Sequence, residues 1–173
     1  MSISLHRALV PQWVQLARSA HSMIGKAQQH VETGAISQAE LVNARLTDDM
    51  APLAYQVKSI RSHSVGAIEG IRAGTFSPSS MDGPATLDEA AELLAQTIAE
   101  LEAVDPTEFN ALHDRHVEFR YNDFAMPFTG ENFLFSFSQP NVYFHTTTAY
   151  AILRHMGVKI GKLDYLGLVW KRQ

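Results

Sequence analysis

The stretch HTTTAYAILRH, from His145 to His155, places a histidine in the most apolar third of the chain. A buried imidazole can ligate a divalent metal, transfer a proton or hold a polar ligand. Metal binding needs further ligands besides His145. His155 lies roughly 15 Å further along the axis at the helical rise, too far to share an ion with His145.

A partner for His145 must then come from another helix. Asp49, Gln56 and His63 are spaced by seven residues, on the flank of the apolar face of the second long helix. Two helical turns separate each from the next, so we expect only one of them to lie level with His145. Gln56 and His63 are the two candidates, and the sequence leaves the choice between them open.

On the last helix, Asn141, His145 and Thr148 share one stripe because they are three to four residues apart. Together with the second helix they predict a polar pocket, lined by Gln56, His63, Asn141, His145 and Thr148. The alternative is a neutral buried imidazole that bonds Asn141, Thr148 or a facing helix, since an unpaired buried polar group costs about 1–3 kcal/mol. We favour this alternative over metal ligation, for which His145 and His63 are the candidate ligands.

Apolar residues recur at helical spacing in four long segments. The first runs from Leu5 to about Val31, with a kink expected at Pro11. The second runs from Met50 to Gly74, capped by Asp48 or Asp49. The third follows a capping box at Thr86 and ends at Val104, and the last runs from Gly130 to Met156, with a cap at Thr129 and a kink at Pro140.

Two shorter elements complete the pattern. A capping box at Ser37 and Glu40 predicts a short helix through Leu46. Before the last helix, apolar residues alternate through VEFRY and FAMPF, which predicts a short β-hairpin that turns at Asn122 and Asp123.

Composition limits the class of protein. A chain of 173 residues fits one domain, residues 1–173, and the net charge of −4 without a basic stripe argues against a nucleic-acid binder. The chain has no cysteine, so any metal must use nitrogen and oxygen ligands. No apolar run approaches membrane-spanning length, and we expect a cytoplasmic protein without a membrane partner.

Two stretches resemble a known family. ARLTDDMAPLAYQV, residues 44–57, and PNVYFHTTTAYAILRHMGVKIGKLDYLG, residues 140–167, are similar to a bacterial family of unknown function grouped with the DinB/YfiT-like proteins. The resemblance implies an all-α, up-down-down-up four-helix bundle, commonly dimeric, here with a short β-hairpin before the last helix. It also implies a three-histidine metal site, whose first ligand on the last helix matches His145 and whose second falls on Ala149.

Three functions follow as hypotheses. In the first, the pocket binds a small organic molecule and needs no metal, because the histidine triad is incomplete. In the second, zinc or nickel at His145 and His63 serves a transferase or hydrolase that uses a thiol cofactor or water, as the resemblance implies. In the third, the chain is a non-enzymatic homodimeric interaction module, because the last helix is apolar on nearly all sides.

Overall fold

A computed structural model describes residues 3–78 and 82–170. Most of these residues are helical. The helices are α1 Leu5–Glu32, α2 Gln38–Asn43, α3 Leu53–Ser62, α4 Val65–Ala73, α5 Leu87–Glu102, α6 Pro106–Asn110, α7 Gly130–Phe133, α8 Gln139–His155 and α9 Lys162–Leu166, with a π-helical turn Leu134–Ser138 between α7 and α8. The strands are β1 Thr75–Phe76, β2 His116–Tyr121 and β3 Phe124–Thr129.

Four long helices pack around the main core. Helix α1 contacts α5 and α8, and α3 contacts the same two helices, so each of the four touches at least two others. Their apolar faces meet in one cluster that includes Met23, Ile60, Leu94 and Ile152. None of the helices within the described residues is both long and apolar enough to cross a membrane.

Helix α1 follows the predicted span closely, from Leu5 to Glu32. Ser4 caps its first turn by accepting a hydrogen bond from the backbone N–H of Arg7. The helix runs on through Pro11, where we expected a kink. Over the same turn, Nε2 of Gln12 donates to the Ala8 carbonyl oxygen at 2.7 Å.

The predicted second long helix is wrong in two respects. It begins at Leu53 rather than Met50, and Pro52, not Asp48 or Asp49, precedes its first residue. It also breaks at His63 and Ser64, which separates α3 from α4. The Ser64 hydroxyl donates to the Ile60 carbonyl at 2.6 Å, and such local bonds compete with the helical hydrogen-bond ladder.

Helix α5 and the hairpin match the prediction. Thr86 caps α5 by accepting from the Glu89 N–H, and β2 pairs antiparallel with β3 around the predicted turn at Asn122 and Asp123. The sequence analysis missed β1, which pairs in parallel with β2 and makes the sheet three-stranded. The expected all-α class is therefore corrected to a mostly helical fold with a small sheet, since β1 is too short to show an alternating pattern.

The last predicted helix is interrupted. Thr129 caps α7 as expected, but a π-helical turn separates α7 from α8, directly before Pro140. The Gln139 N–H bonds the Leu134 carbonyl five residues back, which is the π-helical pattern. Pro140, where the sequence predicted a kink, stands in the first turn of α8, where its missing N–H breaks no helical hydrogen bond. Helix α8 then continues regularly to His155 and presents His145 to α3.

Candidate functional site

A chain of two hydrogen bonds joins α3 to α8 at His145. The Nδ1 atom of His145 lies 2.8 Å from Oε1 of Gln56. The same Gln56 amide donates through Nε2 to the carbonyl oxygen of Ala51, at 2.8 Å. Both side chains are buried. Ala51 directly precedes the proline at the start of α3, so the end of that helix holds the amide in place.

This arrangement determines which nitrogen of His145 carries the proton. The Ala51 carbonyl can only accept a hydrogen bond, so the Gln56 NH₂ group must face it and Oε1 must face His145. Oε1 can only accept, so His145 Nδ1 donates. In a neutral imidazole, Nε2 then holds a lone pair. No hydrogen bond within the described part of the chain reaches that Nε2 atom.

His63 lies beside this pair. Its ring stacks on that of His145, with 5.4 Å between centroids and 13° between planes. We expected only one of Gln56 and His63 to lie level with His145, and this expectation is wrong. Gln56 lies in α3 and His63 directly follows its last residue, and both side chains contact the same imidazole.

Aromatic rings enclose both histidines. Tyr55 and Phe144 meet the ring of His145 edge-on, at 5.9 and 5.2 Å between centroids. Phe76 and Phe137 flank His63 at 5.5 and 5.6 Å. Phe137 belongs to the π-helical turn and Phe76 to β1, so the two elements that the sequence analysis missed supply the wall around His63.

Burial keeps both histidines uncharged. Desolvation lowers the pKa of His145 from 6.5 to about 4. Desolvation and then the neighbouring His145 lower the pKa of His63 to about 3. Both imidazoles are therefore neutral at pH 7. The Nδ1 atom of His63 is fully buried and has no hydrogen-bond partner among the described residues.

The two remaining predicted pocket residues lie near His145 but do not bond it. The Asn141 side chain donates to the Phe137 carbonyl at 2.8 Å, one turn back along the chain. Thr148 is buried and lines a surface groove along α8. Of the five predicted residues, the structure joins Gln56, His63 and His145 directly.

The residues present do not fit a three-histidine metal site. Ala149, at the position of the second ligand on the last helix, is 2% exposed and packs in the main core. Within residues 3–78 and 82–170, no group of three or more histidine, aspartate or glutamate side chains is placed to hold a metal ion. Two imidazoles remain, whereas catalytic zinc usually has three protein ligands.

The sequence pattern did not predict that Tyr55, Phe76 and Phe137 contact the histidines. Tyr55 adjoins Gln56 in the sequence, but its contact with His145 depends on how α3 faces α8. Phe76 and Phe137 reach His63 only because β1 and the π-helical turn place them there. No spacing rule in the sequence encodes those contacts.

The lowered pKa values predict acid sensitivity. A histidine with a lower pKa in the folded chain binds fewer protons there than in the unfolded chain, so falling pH favours unfolding. For His145, the loss of unfolding free energy begins near pH 6.5 and is complete near pH 4. This loss is on the order of 3 kcal/mol. For His63, the loss of unfolding free energy continues down to about pH 3. We expect His63→Phe to flatten the fall in unfolding free energy between pH 6.5 and 4.

Urea unfolding of both proteins at several pH values measures this slope. The difference should approach one proton, about 1.4 kcal/mol per pH unit. His155→Gln is the matched control, because His155 is exposed at the end of α8. Equal slopes for wild type and His63→Phe would contradict the burial of a neutral His63.

Comparison with known proteins agrees with this fold. The family described as a domain of unknown function, DUF1993, matches residues 5–166. A crystal structure of a DinB family member protein from Shewanella denitrificans is similar over 98% of this chain and 95% of that chain, with a TM-score of 0.82 and 28% identity. The curated proteins contain no match to the chain. The chain belongs to the DUF1993 family, a DinB-like family of unknown function.

Proposed function

We propose that the protein binds a small organic molecule at His145 and needs no divalent metal to do so. The observation that carries this proposal is the bond between His145 Nδ1 and Gln56, which leaves the Nε2 lone pair to a ligand. Gln56, His63, Asn141 and Thr148 are the other residues of the proposed pocket. Helical bundles place ligand sites between facing helices in this way.

The electrostatics favour binding over proton transfer. A general base works best when its pKa lies near the working pH. The pKa of His145 is lowered to about 4, so its imidazolium form is strongly disfavoured at pH 7. The Nε2 atom is therefore a better hydrogen-bond acceptor than proton acceptor, and a ligand hydroxyl or N–H group is its natural partner.

Ligand binding should depend on His145. We expect a set of small alcohols, phenols and amides, screened by NMR, to contain molecules that bind the wild type and lose binding with His145→Ala. His155→Ala, which removes an exposed histidine from the same helix, should bind as the wild type does. Ligands that bind equally to wild type and His145→Ala would overturn the proposal.

A divalent-metal enzyme is the second candidate. The observation that favours it is the buried, unpartnered Nδ1 of His63 beside the ring of His145. Zinc or nickel held by these two histidines would leave coordination positions for a thiol cofactor or water. With two protein ligands the site would bind metal weakly, which is why we rank this function second.

Elemental mass spectrometry of untagged protein, purified without chelator, separates the two candidates. We expect substoichiometric metal, unchanged by His145→Ala. One zinc or nickel per chain in the wild type, lost with His145→Ala and retained with His155→Ala, would contradict metal-free binding and establish the second candidate.

We also propose that the protein is a cytoplasmic homodimer and that its long helices follow the up-down-down-up order.

The support for a dimer is a C-terminal apolar face, formed by Leu163, Leu168, Val169 and Trp170. These four side chains are all exposed and line the same hollow beside α1. Exposed apolar surface of this kind is typical of subunit interfaces.

Analytical ultracentrifugation tests the dimer. We expect wild type to sediment as a dimer and the double variant Leu168→Ser, Trp170→Ser to sediment as a monomer, because the contact loses its apolar area. Phe124→Ser removes an equally exposed apolar side chain from the hairpin and should leave the dimer intact. A wild-type monomer, or a dimer that survives the double substitution, would contradict this interface.

A further inference from the structure

A groove of about 530 Å³ runs along α8 beside the histidine pair. Its volume lies within the range of small-molecule sites, about 300–1,000 Å³. The lining comprises Leu46, Met50, Pro140, Tyr143, Phe144, Thr147, Thr148 and Ala151. None of these side chains carries a charge, and only the hydroxyl groups of the two threonines and the tyrosine are polar.

The groove passes close to His145 on α8. Phe144 lines the groove and meets the His145 ring edge-on at 5.2 Å. Thr148 lines it one helical turn further along α8, on the same face of the helix as His145. Met50 also lines the groove, and it directly precedes Ala51, whose carbonyl accepts from the Gln56 amide. The groove therefore contains sequence neighbours of both His145 and Ala51.

Phe144 lines the groove and also contacts the imidazole. Its side chain is 55% exposed, although a phenylalanine on this helix would normally be buried. A ring so exposed can change rotamer at small cost in packing. Turning it would change the boundary between the groove and the His145 ring that it contacts.

We infer that this site takes an uncharged, mainly apolar molecule, such as an aromatic alcohol, that lies in the groove and donates one hydrogen bond to His145 Nε2. The inference rests on the proposed function and adds the class of ligand and its path. An apolar body matches the uncharged lining, and a single donor matches the single lone pair.

The same features exclude charged ligands. A carboxylate or ammonium group held against His145 would be removed from water, and its desolvation must be offset by an opposite charge. The groove lining provides none. The rings in contact with the two histidines, from Tyr55, Phe76, Phe137 and Phe144, provide none either.

Four probes that share one ring test the inference. Benzyl alcohol donates a hydrogen bond, benzyl methyl ether cannot, and benzoate and benzylammonium carry opposite charges. We expect NMR titration to give the tightest binding for the alcohol, by about three- to ten-fold over the ether, the value of one hydrogen bond. The charged probes should bind at least about ten-fold more weakly than the alcohol.

Two substitutions locate the binding. Leu46→Lys places a charge at the rim of the groove and should weaken binding of the alcohol, while leaving the fold intact because Leu46 is already 41% exposed. Tyr121→Lys adds the same charge at an exposed position on the hairpin, outside the groove, and should leave binding unchanged. Equal weakening by both substitutions would overturn the assignment of the groove.

The outcomes separate this inference from the proposed function. Binding of benzoate or benzylammonium that exceeds binding of the alcohol, and is lost with His145→Ala, would overturn the ligand class while the site stands. Binding of the alcohol that survives His145→Ala would overturn both. Failure of all four probes to bind up to their solubility would overturn the ligand class.

Discussion

The hydrogen bond between Gln56 and His145 is the interaction on which the site depends. It crosses from α3 to α8, between two helices that share the main core. Both partners are buried, so breaking the bond would leave a polar group without water or a partner, at a cost of about 1–3 kcal/mol. The Ala51 carbonyl at the start of α3 orients the amide, and the amide in turn orients the imidazole.

The site's chemistry follows from that bond and from burial. Gln56 neutralises no charge, and no carboxylate contacts either histidine in the described part of the chain. Desolvation therefore dominates, and it lowers the pKa of both imidazoles well below their ordinary value. In a neutral His145 whose Nδ1–H is bonded to Gln56, the Nε2 atom can accept a hydrogen bond but is only weakly basic. This combination suits recognition of an uncharged donor better than proton abstraction.

Much of the fold could be predicted from the sequence. The periodicity of α1, the threonine caps of α5 and α7, and the hairpin turn at Asn122 and Asp123 are all local signals, and the structure confirms them. The sequence did not predict the break at Ser64, and it predicted a kink at Pro140 rather than the π-helical turn before it. Both depend on how single residues compete with the helical ladder, and an averaged apolar pattern does not show that competition.

The site was predictable in its residue types but not in its contacts. The polar stripe on α8 identified His145, and the seven-residue spacing on α3 identified Gln56 and His63. Their simultaneous contact with His145 could not be read from a helical wheel, because the wheel places Gln56 and His63 two turns apart and does not show the reach of their side chains. The aromatic wall from Phe76 and Phe137 comes from long-range packing, which the sequence does not encode at any fixed spacing.

The most direct test of this account is the tautomer of His145. A long-range ¹H–¹⁵N NMR spectrum of ¹⁵N-labelled protein at pH 7, with His145 assigned from its loss in His145→Ala, reports the protonation of each ring nitrogen. The account predicts a neutral ring with a protonated Nδ1 and an unprotonated Nε2. A proton on Nε2, or on both nitrogens, would mean that Gln56 does not hold the ring in this state and that the ligand-binding atom has been misassigned.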